Sequence, residues 1–209
     1  ERSPSALEVR RISSMTEYRA LFGGAFSETL TAEVTKSAPA DEFFNVTKLP
    51  TAPAKPTYWL YYQLLMYFAN GGGPCYIVSV GTYAIKSPFI DVKTLKNGLD
   101  ALKKEDEPTL ILTPDLNGVS VPADYYGHYK ITLDQCADLK DRFTLIDVHS
   151  GAEGDAVIKG FRENIGTNNL NYGAAYYPWL ESTLGYGYDE SKIKTTVIIG
   201  TTPPVTDVM

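Results

Sequence analysis

The chain is poor in the residues that most often carry metal and acid–base chemistry. It has two histidines and two cysteines in 209 residues, with no metal-ligand spacing among them. Cys75 and Cys136 could pair in principle, but the favoured reading is two buried free thiols in a reducing compartment. Basic runs are missing as well. With a net charge of −6 and never more than two cations in a row, the chain lacks the clustered positive face that nucleic-acid binding by counterion release requires. The longest apolar run, around Trp59 to Ala69, is too short and too rich in tyrosine to span a bilayer. Glu1, Arg2, Glu8, Arg10 and Arg11 interrupt any signal-peptide core. A Gly-x-Ser-x-Gly nucleophile elbow does not occur.

What is present is an ordinary globular composition, 44% hydrophobic and 21% charged, long enough to bury a core without disulfides. Fifteen tyrosines stand out. Tyrosine joins contact area to a polar tip, which suits a surface that is wet in one state and covered in another; a tyrosine-rich core and rim fits equally well. The chain opens without methionine and stops at "TTPPVTDVM" just after a strand-like run, so it reads as a piece of a longer protein.

In "SSMTEYRALFGG", Ser14 and Glu17 form a capping box, Tyr18, Leu21 and Phe22 an apolar face, and Gly23 a stop. Residues 27–57, with Pro39, Pro50, Pro53 and Pro56, read as a long irregular connection. "TYWLYYQLLMYFANGGG" reads as a helix buried on most sides and stopped at Gly71, followed by the strand "CYIVSVG". An amphipathic helix with Val92, Leu95, Leu99 and Leu102 inward comes next, then a buried strand "TLILTPDL". "PADYYGHYKITLDQCADLKD" is expected to be helical in its second half. The strand "RFTLIDVHS", the helix "EGDAVIKGFRENIG", the segment "YGAAYYPWL" and the strand "KTTVIIG" complete the series. Alternating helices and apolar strands predict an α/β fold, with a mixed, partly parallel sheet covered by helices and an irregular N-terminal segment. The expected division is 1–57 and 58–209.

Ligands of α/β sheets bind at the strands' C-terminal ends. Asp115, and Asp147 followed by His149, stand at such ends and could serve as acid and base or hold a metal. The competing reading makes the acids caps of turns or of the helices that follow them. Gly71 to Gly73 do not form a phosphate loop, because the helix precedes the strand and no Lys-Ser/Thr pair follows. The aromatics of "YGAAYYPWL" could line a ligand pocket, plug the core or face another subunit.

Two segments carry a family resemblance. "YFANGGGPCYIVSVG", residues 67–81, resembles the helix–Asn-Gly-Gly–strand segment of the contractile tail sheath proteins of phages and related injection particles. "YGAAYYPWL" resembles that family's Ala-Ala-x-Tyr-Pro-Trp segment. "MTEYRALFGG", "TLILTPD", "CADLKDRFTLIDV" and "AVIKGFRENI" fall in the family's order, so the likeness covers roughly residues 10 to 180. It places motif residues at Asn70, Gly71, Gly72, Cys75, Tyr76, Ala174, Ala175, Tyr177, Pro178 and Trp179.

The resemblance implies a sheath core domain from which the native N- and C-terminal arms are absent. It implies a structural subunit, not an enzyme, with no cofactor, no metal and no catalytic group. The implied partners are further copies of the chain in a helical sheath, an inner tube protein, and baseplate and terminal cap proteins, with no nucleic acid and no membrane insertion. Assembly in the bacterial cytoplasm into a phage tail or phage-tail-like particle follows from the same likeness. A hydrolase built on Asp115, Asp147 and His149, and a small-ligand binding module, are the alternatives.

Overall fold

The computed structural model describes residues 7–28, 30–36, 45–51, 56–83, 90–151, 154–185, 187–188, 191 and 193–199. Along the chain the elements are β1 (Glu8–Ile12), α1 (Met15–Phe22), β2 (Thr31–Lys36), β3 (Asn45–Thr51), α2 (Leu60–Ala69), β4 (Cys75–Ser79) and α3 (Val92–Leu102). They continue as β5 (Leu110–Ile111), α4 (Pro122–Leu139), β6 (Phe143–Asp147), α5 (Asp155–Ile165), β7 (Gly173–Tyr176) and β8 (Lys194–Ile199), with 3-10 turns at Pro114–Gly118 and Leu170–Tyr172. The protein is mixed α/β. Instead of one sheet, the described strands form three: β1-β4 antiparallel, β3-β2-β8 mixed, and β5-β6-β7 parallel throughout.

The chain divides into two compact units, Glu1–Ala25 with Thr57–Leu184, and Phe26–Pro56 with Gly185–Met209. This grouping does not follow a division at residue 57. Parallel pairing of β8 with β2, Val197 opposite Val34, draws residues after 185 to the segment 26–56. That segment, expected to be irregular, carries β2 and β3; residues 37–44 and 52–55 lie outside the described residues, as does the terminal 201–209.

In the first unit, α1 starts as its sequence marks it. Ser14 Oγ accepts from Glu17 N at 3.2 Å, Glu17 reaches back to the Ser13 amide, and Gly23 leaves the helix at φ 88°. β4 divides its side chains between two clusters, as strand alternation requires. Ile77 joins Ile12, Tyr18 and Leu64 beneath α1 and α2, while Tyr76 and Val78 pack against Leu99, Leu102, Ile111 and Cys136. The largest cluster surrounds α4, whose Tyr125, Tyr126, Tyr129 and Leu133 meet Ile146 and Ile165.

Three expectations fail here. α4 is helical from Pro122, not only in its second half, because a proline at the first turn fits a helix start and Tyr125, Tyr126 and Tyr129 bury one face of it. α2 buries only Leu64 fully; Met66 and Tyr67 are each 42% exposed. The strand in "TLILTPDL" shrinks to Leu110–Ile111, with Ile111 buried and Leu110 and Leu112 more than half exposed.

The second unit, taken by itself, is the sheet β3-β2-β8. Leu30, Ala32 and Val34 are buried, whereas Val197 and Ile198 of β8 are about half exposed. Successive strand residues point to opposite faces, so neither face of β8 is fully covered. No helix among the described residues is long and apolar enough to cross a membrane.

Candidate assembly surface

The strand-end groups meet around one turn, Pro114–Gly118 and the residues after it. Asp115 lies in the turn, and its Oδ1 accepts from the amides of Trp59 at 2.6 Å and Leu60 at 2.9 Å. It therefore caps α2, a helix that precedes it by more than fifty residues, and supplies two of the amides that a helix start leaves unpaired with an acceptor. Burial pushes its carboxyl above the usual range, against the pull of those two amides. Asp147 Oδ2 accepts from Asn117 Nδ2 at 3.1 Å, and its carbonyl accepts from Tyr125 OH at 2.8 Å. His149 Nε2 lies 3.0 Å from the Val119 carbonyl. A carbonyl only accepts, so this nitrogen carries the proton. The ring also stands edge-on to Tyr125, 4.8 Å between centroids.

Each of the three candidate groups thus holds a loop or a helix end. The region just beyond the sheet's C-terminal edge is occupied by rings. Trp59 meets Trp179 edge-on at 5.0 Å, and Trp179 Nε1 donates to the Val148 carbonyl at 2.8 Å. Gly151, at φ 64°, lies under the same indole, where a Cβ would come within 2.2 Å of it. Among the described residues no group of three or more His, Cys, Asp or Glu is close enough to hold a metal ion.

The family-motif residues have identifiable packing roles. Asn70 ends α2, its amide and its side-chain Nδ2 both donating to the Met66 carbonyl. Gly71 takes φ 81°, where a side chain would strain the backbone, and donates to the Phe68 carbonyl. Gly72 lies so close beneath the Tyr67 ring that a Cβ would come within 2.4 Å of it. Cys75 is half-buried beside the α1–α2 cluster and Cys136 fully buried; both are free, and burial raises both thiols, Cys136 to about 11. Tyr76 OH donates to Glu107, which also pairs with Arg11. These two partners hold the Glu107 carboxyl below its usual range, the hydrogen bond from Arg11 contributing most.

Ala174 and Ala175 pair with Leu145 and Ile146 along β7. Tyr177 OH accepts from Gly154 N at the start of α5, Pro178 follows a cis peptide bond, and Trp179 is the indole described above. A cavity of about 350 Å³ between α4, α5 and β7 is lined by Leu133, Phe161 and Ala175 among others. Neither Tyr176 nor Trp179, the rings proposed as a pocket wall, lines it.

Apolar side chains are left outside. Leu110, Leu112 and Tyr176 are 55%, 52% and 61% exposed, and Leu180 is 95% exposed. Sequence reading missed Leu110 and Leu112 because a continuous apolar run suggests burial on both faces. The signal available was the two-residue spacing that sets them on one face and Ile111 on the other. No protein-family model and no curated protein matches the chain.

Proposed function

We propose that the chain is a subunit of a contractile sheath, polymerising helically around an inner tube and contracting to drive that tube through a target envelope. One observation carries the reading beyond the motifs themselves: the two segments that resemble the sheath family act on opposite ends of a single helix. Trp179 of the Tyr-Pro-Trp segment packs on Trp59 where α2 begins, and Asn70, Gly71 and Gly72 end it. Segments about a hundred residues apart in sequence therefore form one packing unit.

The strand-end acids support a structural role, since Asp115 and Asp147 are engaged by main-chain and amide donors. The position of β8 at the edge of its sheet among the described strands supports assembly by strand addition, in which a neighbour's extended segment extends a sheet by main-chain hydrogen bonds. Head-to-tail contacts that do not close on themselves generate a helical cylinder. Contraction requires two packings of the subunit separated by a modest free energy, multiplied over many copies. On this reading the partners are further copies, the tube protein, and baseplate and cap proteins, with assembly in the bacterial cytoplasm. No nucleic acid, membrane, metal or cofactor takes part.

Negative-stain microscopy of the protein, alone and mixed with a contractile-tail tube protein, tests this. Hollow striated cylinders of two lengths and diameters are expected. Dispersed monomers under all assembly conditions, or hydrolytic turnover abolished by Asp147→Asn and His149→Ala, would overturn it.

A further inference from the structure

The dipeptide Asn-Gly occurs three times, at Asn70-Gly71, Asn97-Gly98 and Asn117-Gly118. In this pair the glycine amide nitrogen can close on the asparagine Cγ, because the glycine has no Cβ to obstruct the approach. Closure asks three things of the fold: rotation about the asparagine ψ, a glycine amide able to leave its hydrogen bond, and room for a ring. Two of the pairs are denied them. Asn97 stands inside α3, where the helix ladder holds the Gly98 amide. Gly98 is buried so tightly that a Cβ there would come within 2.5 Å of Val80. The Asn117 carboxamide is held at both ends, Oδ1 accepting from Tyr125 OH at 2.8 Å and Nδ2 donating to Asp147 at 3.1 Å. A Cβ at Gly118 would come within 2.9 Å of Ile90. The first pair differs on each count. Asn70 and Gly71 are both exposed, and a Cβ at Gly71 would meet nothing within 4 Å. Gly71 N donates to the Phe68 carbonyl at 3.1 Å and Asn70 Nδ2 to that of Met66 at 2.7 Å. Both bonds belong to the last turn of α2, and helix ends fray.

We infer that Asn70 is a site of spontaneous deamidation, and that the fold leaves it reactive while it protects Asn97 and Asn117. The Gly71 amide gives its proton to solvent and its nitrogen bonds to Asn70 Cγ. The Cγ–Nδ2 bond breaks, and Nδ2 leaves as ammonia after taking a proton from water. The five-membered imide then takes up one water at either of its carbonyls. Cleavage between the nitrogen and Cγ leaves an aspartate side chain. Cleavage between the nitrogen and the main-chain carbon leaves isoaspartate, whose backbone runs through the former side chain and is longer by a methylene. Either product sets a carboxylate at the C-terminal end of α2, against the negative end of the helix dipole. Either product also removes the donor from the Met66 carbonyl. Conversion therefore loosens the end of α2 that Asn70, Gly71 and Gly72 close. The chemistry is a property of the single chain and does not rest on the proposed assembly.

The 209-residue chain is held for weeks at slightly alkaline pH, below its unfolding transition, with a parallel sample in urea. Cleavage at lysine places the three pairs on separate peptides, since Lys86, Lys96 and Lys104 lie between them. Mass spectrometry reads the change from amide to acid in each peptide, and labelling by an isoaspartyl methyltransferase reads isoaspartate. Each pair's rate in the folded chain is divided by its own rate in urea, which removes the effect of neighbouring sequence. That ratio is expected to be at least about tenfold higher at Asn70 than at Asn97 or Asn117. A ratio at Asn97 or Asn117 within tenfold of that at Asn70, or no conversion of Asn70 in the folded chain, overturns the inference. Asn70→Asp reproduces the aspartate product directly and should lower the urea midpoint. An unchanged midpoint would overturn the loosening of α2.

Discussion

His128 should make the protein lose stability as the solution is acidified, because its ring is buried where the charged form is disfavoured. The ring is 1% exposed in α4, its Nε2 lies 3.3 Å from Thr113 Oγ1, and its Nδ1 has no hydrogen-bond partner. The nearest described ring is that of Tyr129, 6.4 Å away between centroids. Burial alone pushes the imidazole down from 6.5 to about 4. The unfolded chain takes up this proton below about 6.5 while the folded chain refuses it until about 4, so the unfolded state binds more protons across that interval. Stability is therefore complete above pH 6.5, falls as pH drops, and stops falling on this account near 4. At about 1.36 kcal/mol per pH unit the loss is roughly 3 kcal/mol. Exposed carboxylates titrate in the same range, so the quantity to measure is a difference: urea unfolding of the wild type and of His128→Gln at half-unit steps from pH 7.5 to 4. The wild type should lose about 3 kcal/mol relative to the variant. Parallel curves for the two proteins would refute the reasoning.

Two substitutions test the corner where α2 begins. Gly151→Ala places a methyl into the Trp179 indole at a left-handed backbone position, and should cost about 2–4 kcal/mol and lower the melting temperature by several degrees; a shift within a degree would show that the indole moves freely. Asp115→Ala leaves the Trp59 and Leu60 amides without their acceptor and should cost roughly 2–4 kcal/mol in urea unfolding, with Asp115→Asn recovering part of it. An Ala variant as stable as the wild type would mean that water replaces the carboxylate.

Local patterns were readable where one residue type has one local use. Ser14, Glu17 and Gly23 mark the ends of α1, and the leucine spacing of α3 sets Leu99 and Leu102 inward. Reading failed where the deciding partner is distant. Nothing near Asp115 shows that its carboxylate caps a helix more than fifty residues earlier, and the apolar face of α2 gives no sign that Met66 and Tyr67 stay exposed. The prolines of 27–57 suggested loops, but β2 pairs with β3 on one side and on the other with β8, whose contribution comes from the far end of the chain. The α/β class was legible, because alternation of helices with apolar strands is a property of order along the chain. The candidate site was legible as residues and not as roles.

The clamp on α2 also orders events during synthesis. Trp59 and Trp179 are 179 − 59 = 120 residues apart. At 5–20 residues per second the helix waits roughly 6–24 s after leaving the ribosome before its indole partner exists. A ten-residue helix is marginal alone in water. The apolar surface of "LYYQLLMYFA" is consequently without its indole contact until residue 179 has been made, and β2 waits longer still for its parallel partner β8 at residues 194–199.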